Sequence, residues 1–143
     1  MTRSVDIDLE FQRVLDVGLT VRRLFRSGMN PLVHGEVCYL LNDDGLFDWR
    51  REQSPDLEGI VSELGQARRD DAMVGISLLF PDSQHGGDFL FHPGRTMISC
   101  VLSINPKLLS GSSRFCDIGW YLAHLIPIFA PLGLTEFEAR DSM

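Results

Sequence analysis

At 143 residues, with 44% hydrophobic and 23% charged side chains, the chain has the composition of a soluble globular domain, which excludes disordered, collagen-like and repeat architectures. A chain of this size buries roughly 68–70% of its unfolded surface, so it holds a core without disulfides or metal. Its 20 acidic and 13 basic residues leave a formal charge of −7, which disfavours nucleic acid and anionic membrane and favours a cationic protein partner.

From Asp8 to Ser27 the apolar residues Phe11, Val14, Leu15, Val21, Leu24 and Phe25 recur at helical steps, which predicts a first helix. Asp6 or Asp8 can cap its start, and Gly28 can supply a left-handed stop. The alternation Val5, Ile7, Leu9, Phe11 competes for the first residues as a short strand. After Asn30-Pro31, two strands are expected over 36–41 and 46–50, joined by the hairpin loop Asn42-Asp43-Asp44-Gly45. Ser54-Pro55 looks like an N-cap with proline at the first helical position, ahead of Leu57, Ile60, Val61 and Leu64. Arg68 and Arg69 would close that helix.

A strand follows over Ala72 to Phe80, with Val74, Ile76, Leu78 and Phe80 on one face. Gly86-Gly87 fits a hairpin turn that uses positive φ. The strand Asp88 to His92 and a longer one from Thr96 to Ile104, with Ile98, Cys100, Leu102 and Ile104 aligned, complete an antiparallel meander around Pro93-Gly94. Asp117 to Pro131 has helical spacing, with Pro127 expected to kink or end the helix. Leu134 to Arg140 alternates as an edge strand. This order predicts a single α+β domain over residues 1–143, a mainly antiparallel sheet of about five to six strands against about three helices.

Neither GxxxxGK[ST], GxGxxG nor GxSxG occurs, so no phosphate-cradling loop and no nucleophile elbow is indicated. Cys38, Cys100 and Cys116 are widely spaced and lack a CxxC pair, which fits a reducing, cytoplasmic home better than a disulfide framework or zinc knuckle. Cys116 near His124 is a weak thiol-nucleophile candidate. No apolar run approaches the roughly 18 residues of a membrane span, and Met1 to Asp6 lack the apolar stretch of a secretion signal. Asp82, His85, Asp88 and His92 put four possible ligands or acid–base groups into one hairpin. They motivate a small metal-dependent enzyme as one reading, against a solvated hairpin as the plainer one. No cofactor is implied.

The acidic group Asp43, Asp44 and Asp48 stands beside Phe47, Trp49, Arg50 and Arg51, a mixture of charge, aromatic and arginine that suits an interface hot spot. Trp49 as a plain core residue is the competing reading. Trp120 lies off the main apolar stripe of its helix together with His124, implying a wide buried face or a binding surface.

Three segments, Val74-Gly75-Ile76-Ser77-Leu78-Leu79-Phe80, Gly87-Asp88-Phe89-Leu90-Phe91 and Asp117-Ile118-Gly119-Trp120-Tyr121-Leu122, are similar in character to segments of the immunity proteins of bacterial polymorphic toxin systems, including contact-dependent growth inhibition. The chain as a whole resembles that class in being short, acidic and without catalytic motifs. The resemblance implies a cytoplasmic inhibitor, not an enzyme, that binds one toxin domain, often a basic nuclease, and covers its active site. It carries over no residue roles. The contact residues expected from the sequence are Asp43, Asp44, Asp48 and Trp49, and lysine at 43 and 44 is expected to slow association while leaving the fold intact. An acidic secretion chaperone or adaptor that binds an effector segment is the alternative.

Overall fold

The structure, a computed structural model, describes residues 4–111 and 114–142. Along the chain it consists of β1 (Ser4–Phe11), α1 (Val17–Arg26), β2 (Leu32–Val33), β3 (Glu36–Leu40), β4 (Trp49–Glu52) and α2 (Leu57–Leu64). A 3-10 turn (Ala67–Arg69) leads into β5 (Val74–Leu79), β6 (Gly86–Phe91) and β7 (Met97–Ile104), and then α3 (Ile118–Phe129), a second 3-10 turn (Ala130–Leu132) and β8 (Leu134–Ser142). The fold is α+β with three α-helices and an antiparallel sheet, but the sheet has 8 strands rather than five or six. The strands the sequence count missed are β1, where the alternation prevails over helical spacing, and the two-residue β2.

The strands run β2-β3-β5-β6-β7-β1-β8, with β4 also paired to β3. Val5, Ile7, Leu9 and Phe11 point to one face of β1 and join Val74, Ile76, Leu78, Phe89, Phe91, Ile98 and Cys100 from the meander. The apolar stripes of all three helices pack on that face, through Val21 and Leu24, Ile60 and Leu64, and Tyr121, Leu125 and Phe129. Among the described residues the opposite face of the sheet carries no helix.

Several local expectations are corrected by how these layers meet. Asp6 and Asp8 lie on β1, and the cap of α1 is Asp16, whose Oδ1 accepts from the Leu19 N–H at 2.9 Å. Gly28 follows with φ +94° and provides the expected stop. The cap of α2 is Asp56, accepting from the Gly59 N–H at 3.1 Å, so Ser54-Pro55 precedes the helix rather than opening it. Arg68 and Arg69 belong to the separate 3-10 turn. Helix α3 neither ends nor breaks at Pro127: the carbonyl left without its donor belongs to the exposed Ala123, where water can satisfy it. Near its end, Arg23 Nε donates to the Ile128 carbonyl at 2.8 Å.

Gly86 and Gly87 are strand residues without positive φ, not a turn. Glycine is needed there because a Cβ would come within 2.2 Å of the Leu78 carbonyl oxygen at 86 and of the Val101 carbonyl oxygen at 87. At the same place β6 pairs Gly86 with Ile104 and Asp88 with Val101, so two steps on β6 face three on β7. This bulge turns Ile104 off the core stripe of Ile98, Cys100 and Leu102 and places it on the helix-free face.

Candidate functional site

On the helix-free face β3 stays with β5 only through Tyr39–Ile76 and Leu40–Gly75. Beyond that point β2 enters as a wedge, pairing Leu32–Val37 and Val33–Glu36, while Asn30 bridges Leu79. The strands therefore fork, and the fork opens a cavity of about 340 Å³. Its apolar lining is Val33, Trp49 and the bulge-displaced Ile104, and Leu40 beneath Trp49 is fully buried apart from the main core. Gly75 admits the Trp49 indole, since a Cβ there would lie 3.3 Å from Cη2. The polar lining is Glu36, Cys38, Arg51, Ser77 and Asp88, with His34 at φ 52° beside them. Ser77, 6% exposed, donates through Oγ to Asp88 Oδ1 at 2.6 Å and so fixes the carboxylate. Burial pushes the Cys38 thiol up, Arg51 opposes this, and Glu36 and Asp88 add to it. Cys38 is thus a neutral wall rather than a thiolate nucleophile.

Trp49 joins this cavity to the β3–β4 loop. Asp43 accepts two bonds from Arg69, Nε to Oδ1 at 2.8 Å and Nη2 to Oδ2 at 3.2 Å, and Arg50 lies 3.5 Å away. Arg69 is only 4% exposed and also holds Glu63 at 2.9 Å and Gln66 Oε1 at 2.9 Å, so the loop is tied to the turn after α2. The Arg69 hydrogen bond, reinforced by charge, holds the Asp43 carboxyl below its usual range despite a smaller opposing effect of burial. Asp44 Oδ1 accepts from the Leu46 N–H and Asn42 Oδ1 from the Phe47 N–H, both at 3.0 Å. The apex then presents Leu46, 69% exposed, and Phe47, 52% exposed with φ 55°, between Asp44 and Asp48.

Of the expected contact residues, Asp44 and Asp48 are exposed at this apex and Trp49 is half-buried at its base. Asp43 is tied to Arg69, so lysine at 43 is expected to lower stability as well as to slow association. Phe47 was named in the hot-spot mixture but not among the contact residues, Leu46 inside the acidic group was passed over, and nothing in the sequence separates Arg69 from Arg68.

The hairpin groups Asp82, His85, Asp88 and His92 are dispersed. His85 bonds the Asn105 carbonyl at 2.5 Å and packs edge-on to Trp120, whereas Asp88 faces the fork cavity. His92 Nε2 lies 2.7 Å from Ser99 Oγ, which donates to Asp8 Oδ1 at 2.7 Å. Because that hydroxyl proton is committed to Asp8, His92 must be the donor to Ser99, the reverse of the polarity a serine nucleophile needs. Burial raises the Asp8 carboxyl, but Ser99 and Arg140 outweigh it and the net shift is downward. No group of three or more His, Cys, Asp or Glu among the described residues can hold a metal ion. Trp120 and His124, both half-buried, pack on Phe80 and on each other, and Trp120 also meets Tyr121, so they sit at the edge of the core. Cys116 is buried, and the His124 ring is turned to Phe80 and Trp120.

Among the described residues no helix is long and apolar enough to cross a membrane. No family model matches the chain, and neither a curated protein nor a solved structure matches it.

Proposed function

We propose that this chain is a stoichiometric protein inhibitor of the immunity type, acting in the cytoplasm on a cationic toxin domain through the β3–β4 loop. The observation that carries the reading is Phe47. A bulky residue at φ 55° costs about 1–2 kcal/mol, and its side chain gains little burial in return. Strain kept at an exposed apolar tip is explained by a partner that buries it. Leu46 and Phe47 supply the apolar centre of such a contact, and Asp44 and Asp48 supply a charged rim that steers a cationic cleft onto it. The bonds that Asn42 and Asp44 accept from the Phe47 and Leu46 amides, with the Asp43–Arg69 anchor, fix the loop before binding and so lower the ordering cost. No catalytic group is required for this role.

The test is affinity capture from lysate of the cell the protein comes from, with the wild type and a Leu46→Ser/Phe47→Ser variant as baits at low and high salt. One basic toxin domain, equimolar with the wild type and absent from the variant, is the expected result. Several secreted proteins held equally by both baits would replace the inhibitor reading with a chaperone.

A further inference from the structure

The fork cavity has Trp49, at the base of the β3–β4 loop, in its wall, and its chemistry is specific. Two carboxylates, Glu36 and Asp88, face one guanidinium, Arg51, within a protein of charge −7. Among the described residues neither carboxylate takes part in an ion pair, and Asp88 Oδ2 accepts no hydrogen bond while Oδ1 is held by the nearly buried Ser77. An oriented carboxylate with a free oxygen thus stands in a cavity that has an indole wall. We propose that this cavity is a binding site for a guanidinium group.

The fit follows from the donor pattern. A guanidinium is planar, presents a fork of N–H donors to a carboxylate, and is weakly hydrated enough to stack on an aromatic face. Asp88 supplies the acceptor, Trp49 the face, and Glu36 a second negative charge at the rim. Val33 and Ile104 suit the alkyl part of an arginine-like ligand. The neutral Cys38 thiol adds no competing charge. A volume of about 340 Å³ is at the lower end of the roughly 300–1,000 Å³ of small-molecule sites, which suits a side-chain-sized ligand. Arg51 is the one permanent cation among the described lining residues, so it should weaken binding of a guanidinium and would strengthen binding of an anion or a zwitterion.

Two sources share this chemistry, a free small guanidine compound and an arginine on a polypeptide. Ethylguanidinium and the capped peptide acetyl-Gly-Arg-Gly-amide distinguish them, titrated into the full chain and followed by the Trp49 indole and Gly75 amide resonances. Saturable shifts confined to the fork are expected. Asp88→Asn should weaken them about tenfold, the scale of one lost charge-assisted bond, and Arg51→Ala should strengthen them about threefold. Tighter binding of the peptide identifies an arginine presented by a protein, and equal binding identifies a small free cation. If Asp88→Asn disturbs resonances outside the fork, Glu36→Gln replaces it, with the same direction expected. The absence of saturable shifts, unchanged binding to both carboxylate variants, or weaker binding on Arg51→Ala overturns the assignment. The probes require no toxin, so this result and the fate of the inhibitor reading are independent.

Discussion

Replacing Asp43 by asparagine tests whether the β3–β4 loop is anchored from the helix side. The substitution keeps the shape of the side chain and removes the charge that receives the bonds of 2.8 and 3.2 Å from Arg69. Arg69 is 4% exposed, but Asp43 leaves 40% of its side chain in water. A hydrogen bond to a charged group contributes about 1.5–3 kcal/mol, and screening at the exposed carboxylate reduces the expected loss for the pair to about 1–2 kcal/mol. Arg69 is not orphaned, because Glu63 and Gln66 remain, so the cost stays well below that of an unpaired buried cation. In a domain of this length the melting temperature should fall by about 3–7 °C, measured by circular dichroism at neutral pH. Arg69 holds the Asp43 carboxyl below its ordinary value of 3.8. Such a group stabilises the fold above the ordinary value and loses that contribution as the pH falls through its lower, folded value. Wild type and Asp43→Asn should therefore differ most at neutral pH and converge in acid. Equal melting temperatures at neutral pH, or a gap that does not narrow in acid, would refute the anchor.

Phe47→Gly should raise stability by about 1 kcal/mol by relieving the positive φ, while abolishing capture of the partner; a lower melting temperature would show that the apex is not strained. Gly87→Ala should destabilise by about 3 kcal/mol or more, because its Cβ would meet the Val101 carbonyl oxygen at 2.2 Å, and denaturant unfolding measures the loss. Phe89→Ala removes a fully buried ring from the centre of the sheet and should cost about 3–5 kcal/mol in the same assay. With the partner in hand, Asp48→Lys should slow association at low salt and have little effect at high salt, leaving the melting temperature near that of wild type.

The layered architecture was legible because one buried face imposes a period of two. Val74, Ile76 and Leu78 state it in β5 and Ile98, Cys100 and Leu102 in β7, whereas in β1 the same alternation through Val5, Ile7, Leu9 and Phe11 competed with a helical spacing that also used Phe11. Features set by contacts distant in sequence were not legible. Three aspartates precede α1, and only the Leu19 amide distinguishes Asp16 from Asp6 and Asp8 as the cap. The two residues of β2 have no periodicity of their own and become a strand by wedging between β3 and β5. The same fork, together with the bulge that displaces Ile104, builds the cavity, so residues as far apart as Val33, Asp88 and Ile104 share a site that no local pattern announces. At the loop the acidic and aromatic composition was visible, but the backbone angle of Phe47 and the burial of Arg69 depend on the folded chain.

The most direct test of the inhibitor role is to purify the captured partner with wild-type protein, measure the mass of the complex by light scattering, and assay the partner's toxicity with and without the inhibitor. A one-to-one complex that suppresses toxicity, and its loss on Phe47→Asp with the fold unchanged, is the predicted result. A partner that stays toxic inside the complex, or is neutralised equally well by Phe47→Asp, would contradict the account.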